Sequence, residues 1–322
     1  MNGHPTLIFV PGSWHKPACY AKVIEPLQSQ YGARCLGVSL PTTNGDRHAT
    51  FKDDLDAARA AIHNAVVNGE DVILIAHSYG GIVGSSAVKG FTAAGSQRQG
   101  YVKALILIAS GFNITGMAFM DPLFGIPPPS WRKNERSGFA ELATPPRELF
   151  YHDVPEPDAS DAMVQLAPQS LKALFEGGEH TYSGWRDVPT WYIGTTEDRA
   201  LPIVVQRVQV GFARAQGGVV HHVELQSSHS PFLSMPEKVV EIVVQAVRAV
   251  QKNDEPAAAS EMAILKRKGF SLPCVRLREP ATYFRYGVPF AIGRILGWAL
   301  MTFGFCRSIW RSLLSGSRRG PM

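Results

Sequence analysis

Short apolar runs rich in Val, Ile and Leu recur along the chain at Thr6 to Val10, Arg34 to Leu40, Asp71 to Ala76, Val102 to Ala109, Thr190 to Gly194 and Val219 to Leu225. Several are apolar at nearly every position, the pattern of parallel strands covered on both faces. Helical spacing separates them. Phe51 to Asn68 places Leu55, Ala58, Ile62 and Val66 on one face, opens with the capping box Thr50-x-x-Asp53 and stops at Gly69. Ser234-Met235-Pro236-Glu237 predicts a second capping box, ahead of a helix striped by Val239, Ile242, Val243, Ala246, Val247 and Val250. Strands alternating with helices predict an α/β fold with a doubly wound, mostly parallel sheet.

The rhythm breaks from about Gly111 to Trp185. There Pro127, Pro128, Pro129, Pro145 and Pro146 alternate with Met117, Phe119, Phe124, Trp131, Phe150, Phe175 and Tyr182, which predicts a cap inserted into a main domain spanning 1–251. Lys252 to Ser260 reads as a polar, Ala-rich linker into a C-terminal extension that runs to residue 322. With 45% hydrophobic and 18% charged residues, the chain can bury a sizeable core. Its net charge of +5 resides in that extension, since residues 263–322 hold eleven Lys or Arg against the single acid Glu279. The body is therefore net acidic, and charge gives no ground for nucleic-acid binding.

Ile295 to Cys306 is too short to cross a bilayer. With Arg307, Arg311, Arg318 and Arg319 after it, the segment predicts peripheral contact with anionic lipid. Cys19, Cys35, Cys274 and Cys306 form no CxxC pair, and the first residues lack a basic stretch followed by a long apolar run. A reducing, cytoplasmic setting is expected, with the tail as the element that would touch a membrane.

The densest chemical signal is Val72-Ile73-Leu74-Ile75-Ala76-His77-Ser78-Tyr79-Gly80-Gly81, an apolar strand running into a small-residue helix start. A serine exposed on a tight strand-to-helix turn needs small residues two places before and after it, and Ala76 and Gly80 supply them. A serine hydroxyl attacks only if a base takes its proton and a third group orients that base. Candidates follow in the order acid, then histidine, each after a later strand: Asp198 in Thr195-Thr196-Glu197-Asp198-Arg199, and His229 in Ser227-Ser228-His229-Ser230-Pro231. The N–H of Tyr79, directly after the serine, is a candidate oxyanion donor. Glu197 is expected to be a solvated loop acid, His221 and His222 to be strand residues, and His15 and His77 to pack around the site. No HExxH, P-loop or strand-linked GxGxxG occurs, so neither a metal nor a nucleotide cofactor is expected.

These motifs resemble the α/β-hydrolase superfamily, specifically its small methylesterase and hydroxynitrile-lyase-like branch, over about residues 5–250. Tyr151-His152-Asp153-Val154-Pro155 and Pro168-Gln169-Ser170 in the cap are similar to the same branch. The resemblance implies Ser78 as nucleophile, Asp198 as acid, His229 as base and the N–H of Ser13, in the loop Val10 to His15, as the second oxyanion donor. It also implies a cofactor-free serine hydrolase acting on a small hydrophobic ester or lactone. A lyase in the same pocket and a ligand-binding receptor are the alternatives. Ser230 and Gly12 stand where hydroxynitrile lyases have Lys and Thr, which removes support for cyanohydrin cleavage.

Overall fold

The computed structural model describes residues 4–93, 100–252, 255–273, 279–284 and 288. In chain order the strands are β1 (Thr6–Val10), β2 (Cys35–Gly37), β3 (Val72–His77), β4 (Val102–Ile108), β5 (Trp131–Asn134), β6 (Phe139–Leu142), β7 (Gln169–Ser170), β8 (Thr190–Thr195) and β9 (Val220–Leu225). Six of them form one parallel sheet in the order β2-β1-β3-β4-β8-β9. Alternate strand residues feed two cores: Ile8, Val10, Leu74 and Ala76 on one face, Leu7, Phe9, Ile73 and Ile75 on the other. Both faces are covered, which is why these strands are apolar throughout.

The principal helices are α1 (Ala21–Tyr31), α2 (Phe51–Val66), α3 (Tyr79–Ala87), α4 (Ile203–Ala215), α5 (Pro236–Lys252) and α6 (Glu255–Arg267). Helices α2, α3 and α4 supply Leu55, Ile62, Val83 and Val210 to the first core, while α1 and α5 supply Leu27, Val239 and Val243 to the second. The Thr50–Asp53 capping box is formed. Ser234 does not cap α5: it ends a separate turn, Pro231–Ser234, and its hydroxyl pairs with the Ser227 hydroxyl at 2.8 Å. Between β4 and β8 the chain builds the cap, with β5, β6 and β7 as a small antiparallel sheet.

The boundary after Gln251 is corrected. Lys252 to Ser260 is not a linker, because α6 begins at Glu255 with a proline in its first turn and packs on α5. Leu265 and Phe270 are buried in the second core, Lys252 pairs with the buried Glu261 at 2.7 Å, and the Glu224 N–H donates to the Ser271 carbonyl at 2.9 Å. Alanines 257–259 favour this helix intrinsically, a propensity that the polar composition obscured. One compact unit accordingly runs to Val275, and Arg276–Met322 forms the other. The lipid-contact segment Ile295 to Cys306 lies outside the described residues. Among the described residues no helix is long and apolar enough to cross a membrane.

Candidate active site

Sheet order locates the site. From β1 the chain steps outward to β2 and then crosses to β3 on the other side, so the carboxyl ends of β1 and β3 flank a topological switch point. There β3 turns into α3 at Ser78, whose backbone sits at φ 51° and ψ −124°, a conformation non-glycine residues rarely adopt. Crowding explains the neighbours. A Cβ on Gly80 would lie 2.2 Å from the Pro11 carbonyl oxygen, and one on Gly81 would lie 1.9 Å from the Ser110 hydroxyl. The Ser78 N–H donates to the Ile108 carbonyl at 3.0 Å, and the Ser110 hydroxyl donates to the Ser78 carbonyl at 2.6 Å. Two elements beyond the elbow thus hold the turn in shape.

The loops after β8 and β9 bring Asp198 and His229 together. Asp198 Oδ2 accepts from His229 Nδ1 at 2.7 Å, from Thr195 Oγ1 at 2.8 Å and from Gln206 Nε2 at 3.1 Å. Its Oδ1 accepts the N–H groups of Ala200 and Leu201 at 2.8 and 2.7 Å. A carboxylate gripped by five donors cannot turn, so the imidazole it holds keeps one orientation. Both side chains are buried. Glu197 instead faces solvent, where its Oε1 accepts from Gln226 Nε2 at 2.7 Å.

Pro11 to His15 forms the opposite wall. A Cβ on Gly12 would sit 2.8 Å from His77 Nδ1 and 3.0 Å from Ser78 Cβ, so the backbone here lies directly beside the elbow. His15 N–H closes the turn on the Gly12 carbonyl at 3.1 Å, with Trp14 at φ 62°. Burial pulls the His15 imidazole down to about 4 and His77 well below its ordinary value, so both are neutral near pH 7. His15 Nδ1 pairs with the Ser13 carbonyl at 2.7 Å and its Nε2 with Tyr151 Oη at 2.8 Å. A neutral ring that donates from Nδ1 and accepts at Nε2 meets both contacts. His77 Nε2 pairs with the His229 carbonyl at 2.9 Å. These two histidines brace the loops, as expected. His222 is buried in β9 and pushed down by burial to about 3.

Other contributors escape motif reading because sequence-distant elements assemble them. Asp54 on α2 is fully buried; its Oδ1 accepts the Thr42 N–H at 3.0 Å, and its Oδ2 accepts the Thr42 and Tyr79 hydroxyls at 2.6 and 2.8 Å. Gln169 Nε2 in β7 donates to the same Thr42 hydroxyl at 3.1 Å. Burial pushes the Asp54 carboxyl up to about 6. The cap also grips the β1 loop, since Trp14 Nε1 donates to the Ala140 carbonyl at 3.0 Å and its own carbonyl accepts the Ala167 N–H at 2.8 Å. The Tyr151-His152-Asp153 segment was a usable signal: Tyr151 meets His15, His152 Nε2 pairs with the Glu197 carbonyl at 2.9 Å, and Asp153 accepts the Ser228 N–H at 2.9 Å.

Ser13, Ser78 and His229 all line one cavity of about 460 Å³, walled by Phe112, Met117, Phe119, Trp131, Phe150, Val205 and Phe212 among others. Tyr79 opens α3, so its N–H has no acceptor within the helix. Among the described residues no three His, Cys, Asp or Glu side chains are grouped to hold a metal ion.

The comparisons with known proteins agree with this architecture. Residues 7–242 match the model of an alpha/beta hydrolase family. The chain is 29% identical over 248 residues to the alpha/beta hydrolase nvfD of Aspergillus novofumigatus, covering 75% of this chain and 96% of that protein. It is 26% identical over 251 residues to a pyrethroid hydrolase of Sphingobium wenxiniae, covering 74% of this chain and 85% of that one. The solved structure of polyneuridine aldehyde esterase shares the fold at a TM-score of 0.61 and 18% identity, with 76% of this chain and 99% of that one covered. The parallel sheet, the serine elbow at its switch point and a family match over most of the chain place this protein in the alpha/beta hydrolase family.

Proposed function

We propose that the protein is a serine hydrolase that cleaves a small hydrophobic ester or lactone through an acyl-enzyme intermediate. One observation carries the reading: the strained Ser78 and a His229 imidazole bonded to buried Asp198 at 2.7 Å open into the same apolar cavity. The pyrethroid hydrolase and polyneuridine aldehyde esterase among the similar proteins are in line with it.

In this reading His229 Nε2 takes the Ser78 proton as the oxygen attacks the carbonyl carbon. The N–H groups of Ser13 and Tyr79 receive the oxyanion, and Asp198 stabilises the imidazolium. His229 then returns the proton to the departing alkoxide, which leaves an acyl-Ser78. Water, deprotonated by the same imidazole, attacks that ester and frees the acid. The aromatic cap excludes bulk water and selects apolar substrates.

A fluorophosphonate probe followed by peptide mapping tests the assignment. The expected result is a label on Ser78 alone, and loss of turnover by orders of magnitude in Ser78→Ala. A label on another residue, or wild-type turnover in the variant, refutes it.

A further inference from the structure

The loop that presents the Ser13 N–H is a strained turn. Residues 12–15 are closed by the His15 N–H on the Gly12 carbonyl, with Ser13 at negative φ and Trp14 at φ 62°, the signs of a type II turn. Such a turn favours glycine at its third position, where Trp14 stands. A type I turn, with the Ser13–Trp14 peptide flipped, would free Trp14 from the left-handed region and keep the same closing bond. Three further bonds oppose that relaxation. Trp14 Nε1 donates to the Ala140 carbonyl at 3.0 Å, the Trp14 carbonyl accepts the Ala167 N–H at 2.8 Å, and His15 Nδ1 donates to the Ser13 carbonyl at 2.7 Å. Of the three, only the His15 bond grips the peptide that would flip. The ring that makes it is itself fixed, by the Tyr151 hydroxyl on Nε2 at 2.8 Å and by edge contacts with Phe150 and Phe232.

The direction of that peptide bears on the chemistry. Ser13, Trp14 and Ser78 line the apolar cavity, whereas His15 lies outside its wall and borders a different cavity of about 160 Å³. The Ser13 carbonyl, aimed at His15, therefore points away from the reacting atoms. In a trans peptide C=O and N–H point opposite ways. The Gly12 carbonyl turns inward to the His15 N–H, so the Ser13 N–H turns outward, and among the described residues it meets no acceptor. A flipped Ser13–Trp14 peptide would swing a carbonyl oxygen round to the cavity side, where its negative end would oppose any oxyanion that the Ser13 N–H receives. We infer that His15 is a positioning residue for the oxyanion hole, its Nδ1–H locking the Ser13 carbonyl out of the cavity while Tyr151 holds the ring. The inference rests on the hydrolase reading for the oxyanion and on the turn geometry for the lock. Burial keeps the imidazole neutral near pH 7, so its one proton sits on Nδ1, opposite the Ser13 carbonyl, and Nε2 is left to accept from Tyr151.

Two variants separate this bond from the packing around it. His15→Asn sets an amide nitrogen where Nδ1 stands and keeps a donor for the Ser13 carbonyl; His15→Gln keeps a polar group for Tyr151 and loses that donor. On methyl octanoate kcat should fall about a hundredfold in His15→Gln, the scale of losing or misplacing one oxyanion donor, and stay within about tenfold of wild type in His15→Asn. KM should change little in either, and melting temperature checks that each is folded. Affinity for heptyl trifluoromethyl ketone, whose adduct with a serine carries an oxyanion, should fall in parallel with kcat, while affinity for heptyl methyl ketone should not. Imidazole nitrogen NMR of the wild-type protein reads the lock without turnover, and should show a proton on His15 Nδ1 and none on Nε2. Equal losses in the two variants, a loss confined to KM, or a proton on Nε2 would overturn the positioning role. A wild-type protein that takes no fluorophosphonate label and binds the two ketones alike, with His15 Nδ1 protonated, would overturn the hydrolase reading and leave the turn lock standing.

Discussion

Asp198 and Glu197 are neighbours in sequence with opposite surroundings. Asp198 is buried under five donors, one of them His229, whereas the Glu197 carboxylate lies at the surface against Gln226. Only one of them can steady an imidazolium. Asp198→Asn should therefore lower kcat by roughly 10³–10⁴, the scale of losing the orienting carboxylate of a triad, while Glu197→Gln should change it less than about tenfold. Steady-state kinetics on any turned-over ester decides it, and the reverse ranking moves the acid to Glu197. The positions of Ser78, Asp198 and His229 could be inferred from sequence because each sits in a local signal, a strand followed at once by a loop of fixed character. Gln206 and Thr195, which hold the acid, carry no such mark. Their role exists only once α4 packs across the end of β8, an effect of tertiary contact and not of spacing.

Elements join the site through buried polar contacts, and Asp54 is the clearest joint, linking α2, the Thr42 turn, the start of α3 and, through Gln169, the cap. The chain after β2 was expected to stay extended to Leu40, yet ladder pairing ends at Gly37. Leu40 is buried ahead of a turn at Pro41–Thr43, which delivers Thr42 to the Asp54 carboxylate. A buried side-chain partner thus overrides an apolar pattern that would suit a longer strand. Because burial holds Asp54 at about 6 while an aspartate in the unfolded chain keeps its ordinary value of 3.8, the folded protein binds this proton more tightly. The stability of the protonated form is complete below about pH 4 and is lost as pH rises through 6. Two pH units correspond to about 3 kcal/mol. Asp54→Asn cannot ionise, so its unfolding free energy relative to wild type should shift by about that amount in its favour between pH 4 and 7. Urea unfolding across this range checks it; a difference that does not vary with pH refutes a raised Asp54.

At the scale of the whole molecule, the doubly wound sheet was evident from the alternation of apolar runs and helical spacing, whereas the end of the compact unit was not. Lys252 to Ser260 is polar enough to pass for a linker, and only the placement of Met262, Leu265 and Phe270 against the second core shows that α6 belongs to the fold. Burying Leu265 and Phe270 is worth about 1.5–3 kcal/mol each, a large part of the 5–15 kcal/mol typical of a folded domain. Every residue assigned to the triad and the oxyanion hole precedes Lys252. Cutting the chain at two points therefore separates stability from chemistry. A protein ending at Val275 should match the full chain in melting temperature and keep kcat/KM within a few-fold. A protein ending at Gln251 should melt about 10 °C lower, at roughly 2–4 °C per kcal/mol for a domain of this size, yet retain turnover below its transition. Calorimetry alongside ester kinetics measures both effects. Equal melting of the two truncated chains would show that α6 contributes nothing to the unit, and an inactive but folded Val275 chain would place part of the active site beyond it.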